Sequence, residues 1–111
     1  MAGAVSLDLT FHALADPTRR SVVEHLGRGA AATTVLARPF AMALPSFTQH
    51  LDVLQRAGLV TSDKHGRVRT YRLLPDALDP VESWLDVQRD HWERRLDQLD
   101  AFLLASEEGT R

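Results

Sequence analysis

Apolar residues recur along this chain in two rhythms, a helical one at both ends and a strand-like one between them. Leu7, Phe11 and Leu14 stand at i, i+4 and i+7, one face of a first helix. Asp16-Pro17 restarts the rhythm, because aspartate is a favoured N-cap and proline is tolerated at the first helical position. DPTRRSVVEHLGRG therefore predicts a second helix, closed by Gly27 and Gly29, with Val22, Val23 and Leu26 facing a core. In TTVLARPF, Thr33 or Thr34 is the expected cap and Val35, Leu36 and Phe40 the apolar stripe. Pro39 has no amide proton and limits this third helix to a turn or two.

After the connector AMAL comes PSFTQHLDVLQRAG, where Phe47, Leu51 and Leu54 share one side and Ser46, Gln49, His50 and Asp52 point to others. A short helix, a tight turn and a helix of this kind make a helix-turn-helix over about 33–58. The rhythm then shortens. LVTSDKHGRVRTYRLL sets two Val-, Thr-, Tyr- and Leu-containing runs about a basic tip with Gly66, which predicts a β-hairpin over about 59–74. Pro75 and Asp79-Pro80 open a last helix over about 79–104, with Asp79 and Glu82 spaced as a capping box. Val81, Trp84, Leu85, Gln88, Trp92, Leu96, Leu99, Phe102 and Leu103 form its stripe, about 36 Å long at about 1.5 Å per residue. Residues 106–111 are expected to fray. The fold expected is mainly α with a small β-hairpin, in the order α-α-α-α-β-β-α.

Composition narrows the picture. A chain of 111 residues with 44% hydrophobic content favours one domain, 1–111, with one modest core. Without cysteine it has no disulfide and no thiolate metal site, and together with a start that lacks signal-peptide character this points to a cytoplasmic protein. Its apolar runs fall short of the ~20 residues that span a bilayer. The formal charge of −2 conceals a sorting: residues 45–72 carry +3, residues 75–111 carry −6 and residues 1–44 carry +1. The helix-turn-helix and hairpin are thus basic beside an acidic last helix. No phosphate-binding glycine loop, HExxH motif or nucleophile–histidine–acid spacing is present, so an enzyme is not expected.

Four stretches in this order resemble the ArsR/SmtB family of bacterial winged-helix regulators: FHALADPTRRSVVEHL at 11–26, LARPFAM at 36–42, HL-x-VL-x-RAGLV at 50–60 and GRVRTYRL at 66–73. The likeness spans roughly residues 7 to 104. It implies a winged helix-turn-helix, a homodimer joined through its first and last helices, and operator DNA bound by the second helix of the motif with the hairpin as wing. The residues agree with a dimer, because so small a chain can hardly bury Trp84, Trp92, Phe102 and Phe11 in one core. Two departures stand out. Ala43 replaces the serine common before the recognition helix, at a cost of ~1 kcal/mol in capping. Phe47 stands where relatives have a smaller aliphatic residue, which implies local repacking.

Ser46, Gln49 and His50 supply donors and acceptors for base edges in the major groove, and Thr48 suits a thymine methyl or a phosphate. Lys64, Arg67 and Arg69 on the wing are expected to hold the DNA backbone or minor groove. Arg72 is read as paired with an acid, and Arg19 and Arg20 as phosphate contacts or intramolecular ion pairs. The dimer surface expected is Leu7, Phe11, Leu14, Trp84, Gln88, Trp92, Leu96, Leu99 and Phe102. The function that follows is a homodimeric repressor of its own or a neighbouring operon, on an imperfect DNA palindrome with half-sites one helical turn apart. No cofactor or resident metal is expected, and no effector is named by the sequence. Two alternatives stand beside it: a winged-helix protein-interaction module, and a metal-responsive repressor in which His12 meets His91 across the dimer with Asp90 or Glu93 as oxygen ligands. His25 reads as a helix-surface residue and His65 as part of the wing.

Overall fold

The computed structural model describes the backbone of residues 2–109 and the side chains of 7–107. The elements in chain order are α1 (Ala2–Leu14), α2 (Pro17–Leu26), β1 (Ala31–Ala32), α3 (Thr33–Ala37), α4 (Leu44–Arg56), β2 (Val60–His65), β3 (Val68–Leu73) and α5 (Asp79–Gly109). Contacts divide the chain into two units, residues 1–81 and 82–111.

The first unit holds the core. Phe47, Leu51 and Leu54, the predicted stripe of α4, are wholly buried, together with Val22 and Leu26 of α2, Leu36 of α3, and Leu59, Val60 and Tyr71 around the hairpin. A fully buried leucine or phenylalanine contributes about 1.5–3 kcal/mol, so this helix is held chiefly by its apolar side. Phe47 stacks on Phe40 at 5.5 Å between ring centroids. Leu14, expected on the dimer surface with Leu7 and Phe11, is half-buried and packs in part against this core. It borders Thr10 and Ala13, the buried side of α1.

Local chemistry fixes the joints. Asp16 caps α2 by accepting a hydrogen bond from the Arg19 backbone N–H at 3.1 Å, with Pro17 in the first turn. Thr33 and Thr34 cap nothing: the N-cap of α3 is Ala32, without a side-chain bond, and the Thr33 hydroxyl donates instead to the Arg69 carbonyl at 3.3 Å. Ala43 begins α4 uncapped, as its missing hydroxyl implies. The far end of α4 is closed by Gly58 at φ +77°, where the Leu59 N–H reaches the Leu54 carbonyl and the Gly58 N–H reaches that of Gln55, both at 3.1 Å. This double bond pattern satisfies the last helical carbonyls and turns the chain directly into β2.

The hairpin pairs Val60 with Leu73 through to His65 with Val68, leaving the two-residue turn Gly66-Arg67 with Gly66 at φ +63°. A third strand escaped the sequence reading. Ala31 and Ala32 pair antiparallel with Tyr71 and Thr70, which gives a three-stranded sheet in the order β1-β3-β2. Two other boundaries differ: α1 starts at Ala2 rather than near Leu7, and α5 stays helical to Gly109 through most of the stretch expected to fray. Residues 110 and 111 of that stretch lie outside the described residues. In the second unit Trp92, Leu96, Leu99 and Phe102 are exposed, and Arg89–Asp86 and Arg94–Asp90 ion pairs at 3.6 and 3.3 Å lace the polar side of the helix.

Candidate nucleic-acid interface

Strand alternation decides which wing residues meet α4. Val60, Ser62 and Lys64 of β2 face the same side as Leu73, Tyr71 and Arg69 of β3, their cross-strand partners. This side is apolar where it lies on the core and becomes cationic toward the tip. Between it and α4 opens a cleft of about 440 Å³ lined by Thr33, Thr34, Leu44, Thr48, Asp52, Lys64, Arg67, Arg69 and Tyr71, with Ala32 and Val68 completing the wall. Three cations thus border a groove whose other bank is the polar side of α4.

On that helix Ser46, Gln49 and Asp52 are exposed. Thr48 is half-buried, and its hydroxyl donates to the Pro45 carbonyl at 2.9 Å, which leaves its methyl group rather than its donor for an incoming surface. At the wing, Lys64 and Arg67 are exposed, whereas Arg69 donates to the Ser62 hydroxyl at 2.9 Å, and Ser62 donates on to the Gln55 amide oxygen at 3.2 Å. Arg69 is therefore tied to the C-terminal half of α4 as well as facing the cleft. Burial pushes the pKa of the neighbouring Tyr71 hydroxyl up against the opposing pull of the Arg69 charge. Arg72 lies 3.8 Å from Asp63, the pairing its position suggested.

His50 is placed differently from its sequence reading. It stands three residues after Phe47 and four before Leu54, so it borders the buried side of α4 rather than the exposed one. Its Nδ1 lies 3.1 Å from Arg19 Nη1 and 3.8 Å from Asp16 Oδ2. A guanidinium only donates, so Nδ1 accepts from Arg19 while the imidazole is neutral; protonated, the same atom can only donate, toward Asp16. The other two guanidinium nitrogens of Arg19 are engaged as well: its Nε donates to the Ala13 carbonyl at 2.7 Å and its Nη2 to that of His12 at 3.1 Å. Arg20 donates to the Leu14 carbonyl at 2.8 Å. Both arginines thus close the C-terminus of α1, whose last carbonyls lack partners within the helix, a role the sequence reading did not include. Partial burial acts to raise the Asp16 pKa, but the Arg19 N–H and the charges of His50 and Arg19 outweigh it and hold the carboxyl below its ordinary value.

His12 and His65 are exposed, as is His91 on α5, while His25 is half-buried on α2. Among the described residues no group of three or more histidine and acidic side chains is arranged to hold a metal ion. Nor is any helix among them long and apolar enough to cross a membrane.

A helix-turn-helix followed by a basic hairpin that flanks the exposed side of its second helix defines a winged-helix DNA-binding protein. Comparison with known proteins gives the family. A helix-turn-helix domain model matches residues 14–63. The HTH-type transcriptional regulator Rv2034 of Mycobacterium tuberculosis is 41% identical over 91 residues, 82% of each chain. The transcriptional repressor SdpR of Bacillus subtilis is 29% identical over 75 residues, 68% of this chain and 83% of that one. The crystal structure of an ArsR family transcriptional regulator superposes with a TM-score of 0.79 at 46% identity, over 81% of this chain and 93% of the other. The chain belongs to the ArsR family of transcriptional regulators.

Proposed function

We propose that this protein is a homodimeric repressor that binds an imperfectly palindromic operator, with the whole chain acting as one winged-helix domain in the cytoplasm. The observation that carries the reading is the division of α4: one side wholly buried, with Ser46 and Gln49 exposed and Thr48 and Asp52 lining a cleft bordered by Lys64, Arg67 and Arg69. Ser46 and Gln49 read base edges, since a side-chain amide matches adenine bidentately. The Thr48 methyl suits a thymine methyl. Lys64 and Arg67 grip the backbone on either side of the wing tip, and Arg69 holds the wing against α4 while adding charge. The uncapped N-terminus of α4 leaves backbone N–H groups for a phosphate.

Dimerisation is supported by the exposed apolar stripe of α5, where Trp92 and Phe102 are 64% and 67% accessible, and by Leu7 and Phe11 on α1. Two recognition helices then fall about 34–36 Å apart, on half-sites one turn apart. Repression follows the likeness to SdpR.

Binding to a duplex from the gene's own upstream region, measured by mobility shift at rising salt, tests this reading. It requires two chains per site, a clear preference over random duplex, and affinity that falls steeply with salt as counterions are released. A flat salt response, or equal binding to random DNA, contradicts it and favours a protein-interaction role.

A further inference from the structure

The contacts of Arg19 join three helices at one guanidinium: the α1 C-terminus through the His12 and Ala13 carbonyls, α2 on which Arg19 stands, and α4 through His50 Nδ1. We propose that Arg19 and His50 form a latch that sets the seat of the recognition helix on α1 and α2, so that both are positioning residues for DNA binding and neither touches DNA. The inference rests on reading α4 as the recognition helix.

The geometry carries it in three steps. A guanidinium offers its donors in a rigid planar fork, so occupying Nε, Nη1 and Nη2 at 2.7, 3.1 and 3.1 Å fixes all three acceptors relative to one another. His50 lies in the second turn of α4, one residue after Gln49, so a small rotation of α4 at this point moves the reading side chains directly. A guanidinium only donates, so this contact requires Nδ1 as the acceptor, with the ring proton on Nε2. Asp16, 3.8 Å from the same nitrogen, is engaged by the Arg19 N–H as the α2 cap, which holds the backbone of Arg19 in place while its side chain reaches α4.

The test uses the full chain, its upstream duplex and four variants: His50→Leu, Arg19→Gln, the double substitution, and His50→Asn, which keeps an acceptor near the Nδ1 position. Operator affinity is expected to fall about tenfold in each single variant, the scale of one charge-assisted hydrogen bond. The double variant should be no weaker than Arg19→Gln alone, because that substitution already removes the His50 contact together with those to the His12 and Ala13 carbonyls. His50→Asn should restore most of the affinity, and the dependence on salt should stay that of the wild type. The ring ¹⁵N shifts of His50 should show Nδ1 as acceptor in the wild type and lose that signature in Arg19→Gln. Additive losses, a shallower salt dependence in Arg19→Gln, or base preferences altered by His50→Leu alone would overturn the latch in favour of direct DNA contacts. Operator binding that survives both substitutions would overturn it as well. A wild-type chain indifferent to its operator would instead remove the recognition reading, and the positioning role with it, while the ring signature still recorded the contact.

Discussion

Asp16 stabilises two helices at once, through the α2 cap and through the field it shares with His50 and Arg19. Asp16→Ala should destabilise the chain by about 1 kcal/mol, the usual loss for an N-cap, whereas Asp16→Asn keeps a capping oxygen and should lose less. The acid dependence has a definite sign. A carboxyl whose folded pKa is depressed contributes fully above its unfolded value of about 3.9, and the contribution disappears as pH falls through the lower folded value. Urea denaturation at about pH 7 and about pH 3 should therefore show the gap between wild type and Asp16→Asn narrowing in acid; a gap that widens would place the shift in the opposite direction. At this scale the sequence was legible where a residue bonds to its own backbone, as with Asp16, and misleading where a long side chain chooses a distant partner. Arg19 and Arg20 reach back six residues to α1, which only the α1–α2 crossing reveals. His50 was legible in principle, because the spacing 47, 50, 51, 54 places it with the buried stripe.

Elements marked by strong local signals, the hairpin at Gly66 included, came out as expected, and the short strand made only by pairing did not. Gly58 closes α4 in a left-handed conformation with open space where a Cβ would stand, so Gly58→Ala meets no clash and only a backbone penalty. A loss of about 1–2 kcal/mol in chemical denaturation is expected from that conformation alone. An alanine variant as stable as the wild type would mean that the turn relaxes elsewhere, and the tight junction between α4 and the wing would lose its importance. β1 had no comparable signal: Ala31 and Ala32 have low strand propensity and owe their strand to Tyr71 and Thr70 on β3. The Thr33 hydroxyl shows the same dependence, since the Arg69 carbonyl that it meets is brought to it by that sheet. The wing is thereby fastened both to the start of α3, through Thr33, and to α4, through Ser62 and Gln55.

For the whole molecule, the order of motifs and the sorting of charge identified the class, and the family comparisons bear this out. The site was legible as a surface more than as a set of roles. Its basic wing and polar helix face lay in the sequence, while the placement of His50 and Arg69 depends on contacts across elements and that of the Thr48 hydroxyl on a bond within α4. In the proposed function α4 reads sequence while the wing supplies affinity. Gln49→Ala and Arg67→Ala, titrated against operator and random duplex over a range of salt, test it most directly. Gln49→Ala should lose about 1–3 kcal/mol on the operator and almost nothing on random DNA. Arg67→Ala should weaken both alike and lower the salt slope by about 1. Equal losses on both duplexes for Gln49→Ala, or an unchanged salt slope for Arg67→Ala, would contradict it.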